Sequence, residues 1–86
     1  MTQTIYTVKN ATGLHARPCA MLAKALQGIN ATIIAQKDGK EADLKQAMKV
    51  LKLQVAQGDQ ITIIAEGEEA EKAFTAAVAF LDGLTE

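Results

Sequence analysis

Asp38-Gly39 stands between the β-prone run Ala31-Thr32-Ile33-Ile34-Ala35-Gln36-Lys37 and a shorter run near residues 40–43. That pair is a strong signal for a two-residue hairpin, which makes the two runs adjacent antiparallel strands and restricts every fold the rest of the chain can adopt. Around this hairpin, Thr2 to Val8 alternates as a first strand and residues 60–66, Gln-Ile-Thr-Ile-Ile-Ala-Glu, read as a last one after the Gly58-Asp59 turn. Lys9 to Gly13 is a loop, and residues 16–27 form a helix stopped by Gly28. Residues 46–53 form a short second helix, with Val50 and Leu53 on one side and Ala47, Met48 and Leu51 on another. Gly67 ends the last strand, and a third helix runs from Glu68 with acidic residues in its first turn. Its Ala70, Ala73, Phe74, Ala77, Val78 and Leu81 share one face, which covers the sheet. The order β-α-β-β-α-β-α predicts an α+β layer pair, with helices on one face of a sheet and the other face partly open to solvent.

Composition narrows the function. Eighty-six residues suit a single domain spanning 1–86, with one modest core and no large buried pocket. Only Tyr6, Phe74 and Phe80 are aromatic, so the core is built from Ala, Ile, Leu and Val. Nine basic and ten acidic residues, with no basic cluster, argue against nucleic acid as the main partner. No apolar run approaches the ~20 residues that span a bilayer, and the N-terminus lacks the basic and apolar regions of a signal peptide. The lone Cys19 cannot form an intrachain disulfide, and neither it nor the lone His15 has partners for a metal site. A cytoplasmic protein without membrane insertion is expected, in which the triplets Asn10-Ala11-Thr12 and Asn30-Ala31-Thr32 carry no glycan. Met1 and the short Leu84-Thr85-Glu86 tail fit a free-standing domain, expected to be a monomer.

The chemistry is concentrated in Gly13-Leu14-His15-Ala16-Arg17-Pro18. Pro18 suits a first helical turn, so His15 lies just ahead of a helix N-terminus with Arg17 two residues on. Such a start offers outward-pointing N–H groups and partial positive charge, which suit an anion. An imidazole there can be an unprotonated nucleophile at neutral pH, and the backbone at Ala16, Arg17 and Pro18, with the Arg17 guanidinium, can hold a phosphoryl product. Position alone also allows a loop histidine beside a solvated arginine, or a helix-capping role with no chemistry.

The same run resembles the active-site motif of HPr, the histidine-containing phosphocarrier family of the bacterial phosphoenolpyruvate:sugar phosphotransferase system. The similarity extends over the whole chain, in length, element order and the distance from the start to His15. It implies an open-faced β-sandwich, a four-stranded antiparallel sheet covered on one face by three helices. It further implies that His15 accepts a phosphoryl group on Nδ1 from phosphorylated enzyme I and passes it to an EIIA-type domain. Arg17 would balance the phosphate charge, and Gly13 and Pro18 would shape the loop-to-helix turn. The protein would be a shuttle and not a turnover enzyme. It would need no cofactor of its own; magnesium would serve enzyme I.

Two positions depart from the family pattern. Cys19 replaces a small residue and is expected to be packed and inert. Gln46 stands where many family members carry a serine phosphorylated by a dedicated kinase, so that switch is absent at this position. Ala47, Met48 and Leu51 match an apolar docking patch, although periodicity alone divides them evenly between core and surface. Lys24, Lys45, Lys49 and Lys52 would ring the patch and steer acidic partners. Alternatives remain a carrier of a nitrogen-linked, fructose or dihydroxyacetone branch, and a regulatory binding module without relay activity.

Overall fold

The computed structural model describes residues 2–9, 13–14 and 16–84. Its elements are β1 (Thr2–Thr7), α1 (Ala16–Leu26), β2 (Thr32–Lys37), β3 (Lys40–Asp43), α2 (Ala47–Leu51), β4 (Gln60–Glu66) and α3 (Ala70–Asp82). The hairpin forms as its sequence requires: Asp38 and Gly39 both take positive φ, 51° and 81°, and Lys37 pairs with Lys40 across the turn. Two left-handed residues in succession match the twist of the flanking strands, a geometry open to Asp-Gly and closed to most other pairs.

The sheet is ordered β1-β4-β2-β3 and every neighbouring pair is antiparallel. Strand alternation sends Tyr6, Ile61, Ile63, Ala65, Ile33, Ala35 and Ala42 to one buried face. The register keeps these residues together, with Tyr6 opposite Ile61, Ala35 opposite both Ile63 and Ala42, and Ile33 opposite Ala65. Leu22 and Leu26 of α1, Val50 of α2, and Ala73, Ala77 and Leu81 of α3 close the core from above. On the opposite face Ile5 is exposed, and the Ile34–Ile64 pair is half-buried. The four-stranded antiparallel sheet with three helices is the architecture expected.

Element boundaries moved for local reasons. The last helix starts at Ala70 and not Glu68, because Glu68 and Glu69 are engaged by the Asn30 loop. The Asn30 N–H donates to Glu69 Oε1 at 2.6 Å, its Nδ2 donates to Glu68 Oε2 at 2.9 Å, and the Glu69 N–H donates to the Asn30 carbonyl at 3.0 Å. α2 stops at Leu51, two residues short of expectation; Leu53 and Gln54 instead bond back to Val50 and Leu51 in tighter turns. On α3 the alanines approach the sheet, whereas Phe74 and Val78, expected to cover it, are only half-buried at its margin.

Tyr6 is the one aromatic ring fully assigned to the core, and its hydroxyl joins β1 to the end of α3 by donating to Asp82 Oδ1 at 2.9 Å. Burial first, then the hydrogen bond to the Asp82 carboxylate and its charge, push the phenol up to about 12. Since the folded value lies above the usual one of about 10, the neutral phenol contributes stability that is complete below pH ~10 and lost as pH rises through ~12. A phenolate absorbance titration of the folded protein is expected to show a midpoint near 12, and Asp82→Asn to move it down. A midpoint at the value of a free tyrosine would contradict the assignment.

Candidate functional site

Gly13 and Leu14 lie against the loop that joins α2 to β4. Gly13 has φ +64°, and a Cβ built on it would run into the Val55 carbonyl and sit 2.7 Å from Ala56 Cα. Glycine is therefore required twice, by conformation and by space. Leu14 is buried at 2% exposure and both its backbone groups are held. Its N–H donates to the Val55 carbonyl at 2.9 Å, and its carbonyl accepts a weak bond from Cys19 Sγ at 3.5 Å. His15 lies outside the described residues, as do Asn10, Ala11 and Thr12 of the preceding loop. On the other side of position 15, α1 starts at once with Ala16.

The first turn of α1 carries the remaining residues singled out by sequence. Ala16 and Arg17 are exposed, and Pro18 is buried where its missing N–H costs no helical bond. No acidic side chain occupies this turn, so the partial positive charge of the helix start is not offset from within it. The chain thus presents an arginine and a helix N-terminus immediately after position 15, an arrangement suited to a doubly charged oxyanion.

Cys19 is 1% exposed and burial pushes its thiol up. It packs against the lead-in to position 15 and is not a reactive surface group. On α2, Met48 is 67% exposed while Ala47 and Leu51 are half-buried. This resolves the ambiguity of the helical period at Met48 in favour of the surface. Met21 of α1, half exposed, is a second large apolar side chain on the helical layer. In the sequence it reads as part of the apolar run of α1, yet it falls off the Cys19, Leu22 and Leu26 stripe. Lys24, Lys49 and Lys52 are exposed. Lys45 does not join them, because its ammonium donates to the Ile29 carbonyl at 2.6 Å and ties the chain after α1 to that before α2. Gln46 is exposed at the N-cap of α2 and makes no side-chain capping bond.

A second missed group supports the loop under Gly13. Lys37, at the end of β2, donates to the Gln54 and Leu53 carbonyls at 2.7 and 3.3 Å and pairs with Asp59 Oδ2 at 3.0 Å. Asp59 Oδ2 also accepts the Ala56 N–H at 2.9 Å. Lys37 alone has no sequence signal, since a strand-end lysine reads as a solvated charge; only Asp59 was visible, as a turn residue.

Three helices on one face of an antiparallel sheet, with an arginine-bearing helix start after a glycine-pinned loop, place the chain among small open-faced α+β sandwiches. Comparison with known proteins gives the family. A family model described as the phosphotransferase-system HPr component phosphorylation site matches residues 2–82. The chain is similar to the phosphoryl donor subunit DhaM of a PEP-dependent dihydroxyacetone kinase from Providencia stuartii, 45% identical over 85% of this chain but only 15% of that protein's length. It is 36% identical to the HPr-like protein Crh of Halalkalibacterium halodurans, over 87% of this chain and 89% of that one. Among solved structures, the phosphocarrier protein HPr of Bacillus anthracis superposes with a TM-score of 0.87, at 35% identity over 93% of this chain and 95% of that one. The chain belongs to the HPr family of phosphocarriers, which act with the enzymes of the phosphotransferase system and carry a phosphoryl group without being enzymes themselves. No helix among the described residues is long and apolar enough to cross a membrane.

The packed state of Cys19 is open to direct test. An aromatic disulfide reagent at mildly alkaline pH is expected to modify the folded protein at least about 100-fold more slowly than the urea-unfolded chain, because modification must wait for local opening. Equal rates would show a surface thiol.

Proposed function

We propose that His15 is the phosphoryl acceptor, taking the group on Nδ1 from phosphorylated enzyme I and passing it to an EIIA-type domain. The observation that carries this reading is the family match over residues 2–82 together with the motif Gly13-Leu14-His15-Ala16-Arg17-Pro18 in register with a helix that starts at Ala16. The Nδ1 lone pair of the neutral imidazole attacks phosphorus as the bond from phosphorus to the donor breaks, and the electron pair of that bond returns to the donor. The second transfer reverses the roles, with His15 the leaving group. Arg17 and the N–H groups that start α1 stabilise the charge on the transferred oxygens, which is the main work a protein does in phosphoryl transfer. Ala47, Met48 and Leu51, with Lys24 and Lys49 around them, form the surface onto which donor and acceptor dock in turn. An exposed methionine suits this use, because its flexible side chain adapts to more than one partner. Glutamine at position 46 has no hydroxyl, so the chain is not a substrate there for a serine kinase.

Similarity to DhaM, at 45% identity, favours a second reading of the acceptor. In it the same His15 chemistry supplies a dihydroxyacetone-phosphorylating branch in place of a sugar permease. The choice of acceptor distinguishes the two, while the first transfer is common to both.

Incubation with enzyme I, magnesium and labelled phosphoenolpyruvate is expected to give an acid-labile, base-stable label that His15→Ala abolishes. An unlabelled wild type, or label surviving in His15→Ala, would overturn the assignment. Arg17→Ala is expected to slow the transfer about 10–100-fold, the effect of losing a charge-assisted hydrogen bond. Its circular-dichroism melt should be unchanged; a collapsed melt would make Arg17 structural.

A further inference from the structure

Lys37 and Asp59 lie outside the motif, yet they brace the backbone that leads into it. The Lys37 side chain is only 16% exposed, and its ammonium meets three oxygens: the Gln54 and Leu53 carbonyls and Asp59 Oδ2. An ammonium has three protons to donate, so this set uses its full capacity. Gln54 needs such help. Its φ of +55° falls in the left-handed region, which disfavours any residue with a Cβ. The cation bonded to its carbonyl offsets that preference locally.

Asp59 closes the same loop from the other end. Its carboxylate accepts the Ala56 N–H, its own N–H donates to the Ala56 carbonyl at 3.0 Å, and its carbonyl accepts the Val8 N–H at 2.9 Å. The Ala56 N–H first, and Lys37 second, hold its carboxyl below the usual range, so it is ionised at neutral pH. Between these two fixed ends lie Val55 and Ala56, the backbone that receives the Leu14 N–H and leaves no room for a Cβ on Gly13. The links run from Lys37 and Asp59 to residues 53–56, then to Gly13 and Leu14, and so to the peptide that enters position 15.

We propose that the Lys37–Asp59 pair is a positioning device for phosphoryl transfer, fixing the 53–59 loop so that Gly13 and Leu14 hold the backbone entering His15 in one orientation. This rests on His15 being the acceptor. The contacts of the pair run to the backbone of the 53–59 loop, so its effect is read first in the geometry of that loop. In-line transfer tolerates little misplacement of the nucleophile, which makes geometry the sensitive quantity.

The experiment compares wild type, Lys37→Met, Lys37→Met with Gln54→Gly, and the core control Leu81→Ala on α3, all below their melting temperatures. Two readouts are followed: amide exchange at Leu14 relative to Ile63, and the kinetics of acceptance from phosphorylated enzyme I. Lys37→Met is expected to raise relative exchange at Leu14 about tenfold and to lower the maximal transfer rate about tenfold with the KM of enzyme I for the carrier unchanged. Adding Gln54→Gly should recover most of both, because glycine adopts the left-handed conformation without help. Leu81→Ala should lower the melting temperature and leave both readouts in place. The proposal is overturned if Lys37→Met leaves both at wild-type values, or if Leu81→Ala shifts them equally. A wild type that accepts no phosphoryl group would instead overturn the acceptor reading itself, and exchange at Leu14 would still report whether the loop is clamped.

Discussion

The hydrogen bond from the Leu14 N–H to the Val55 carbonyl, 2.9 Å long, joins the segment ahead of α1 to the loop ahead of β4. These segments are far apart in sequence, and the bond between them lies outside the strand ladder. The bond forms because Gly13 lets the backbone come close enough, and because the burial of Leu14 makes an unpaired N–H there costly. Sheet and core therefore act on the site indirectly. The sheet sets where β2 ends and where β4 begins; Lys37 is the last residue of β2, Asp59 immediately precedes β4, and the loop between α2 and β4 is shaped by that pair.

Division of labour follows from this arrangement. Side chains that pack, such as Leu22, Ile33 and Ile63, lie between the helices and the sheet. Those proposed for chemistry and docking, Arg17 and Met48, are exposed on the helical layer. A carrier that meets donor and acceptor in turn needs such an outward site, because a buried imidazole could not be reached in line. It also needs short-lived contacts, which a small apolar patch with a charged rim provides.

Much of this was legible in the sequence. Asp38-Gly39 announced the hairpin because few residue pairs tolerate two positive φ values in succession. The run at residues 60–66 after the Gly58-Asp59 turn announced a strand, and the structure buries its Ile61, Ile63 and Ala65 on one face. Gly13 and Pro18 marked the loop and the helix start because each satisfies a backbone requirement that few residues meet. What stayed hidden depended on long-range partners. Glu68 and Glu69 looked like a helix start, but Asn30 competes for them from another loop. Lys45 looked like a rim charge, yet the Ile29 carbonyl binds it. Lys37 and Gln54 carry no local pattern at all, and only the fold brings them together.

In the proposed phosphorylated form, phosphorus is bonded to one atom, Nδ1 of His15, on a carrier that otherwise keeps its fold. Correlated phosphorus and nitrogen NMR of the protein after incubation with enzyme I and phosphoenolpyruvate tests this most directly. The expected result is a single phosphohistidine signal with the phosphorus coupled to Nδ1 of His15, and an undisturbed sheet. A phosphorus signal coupled to Nε2, or arising from any other residue, would contradict it.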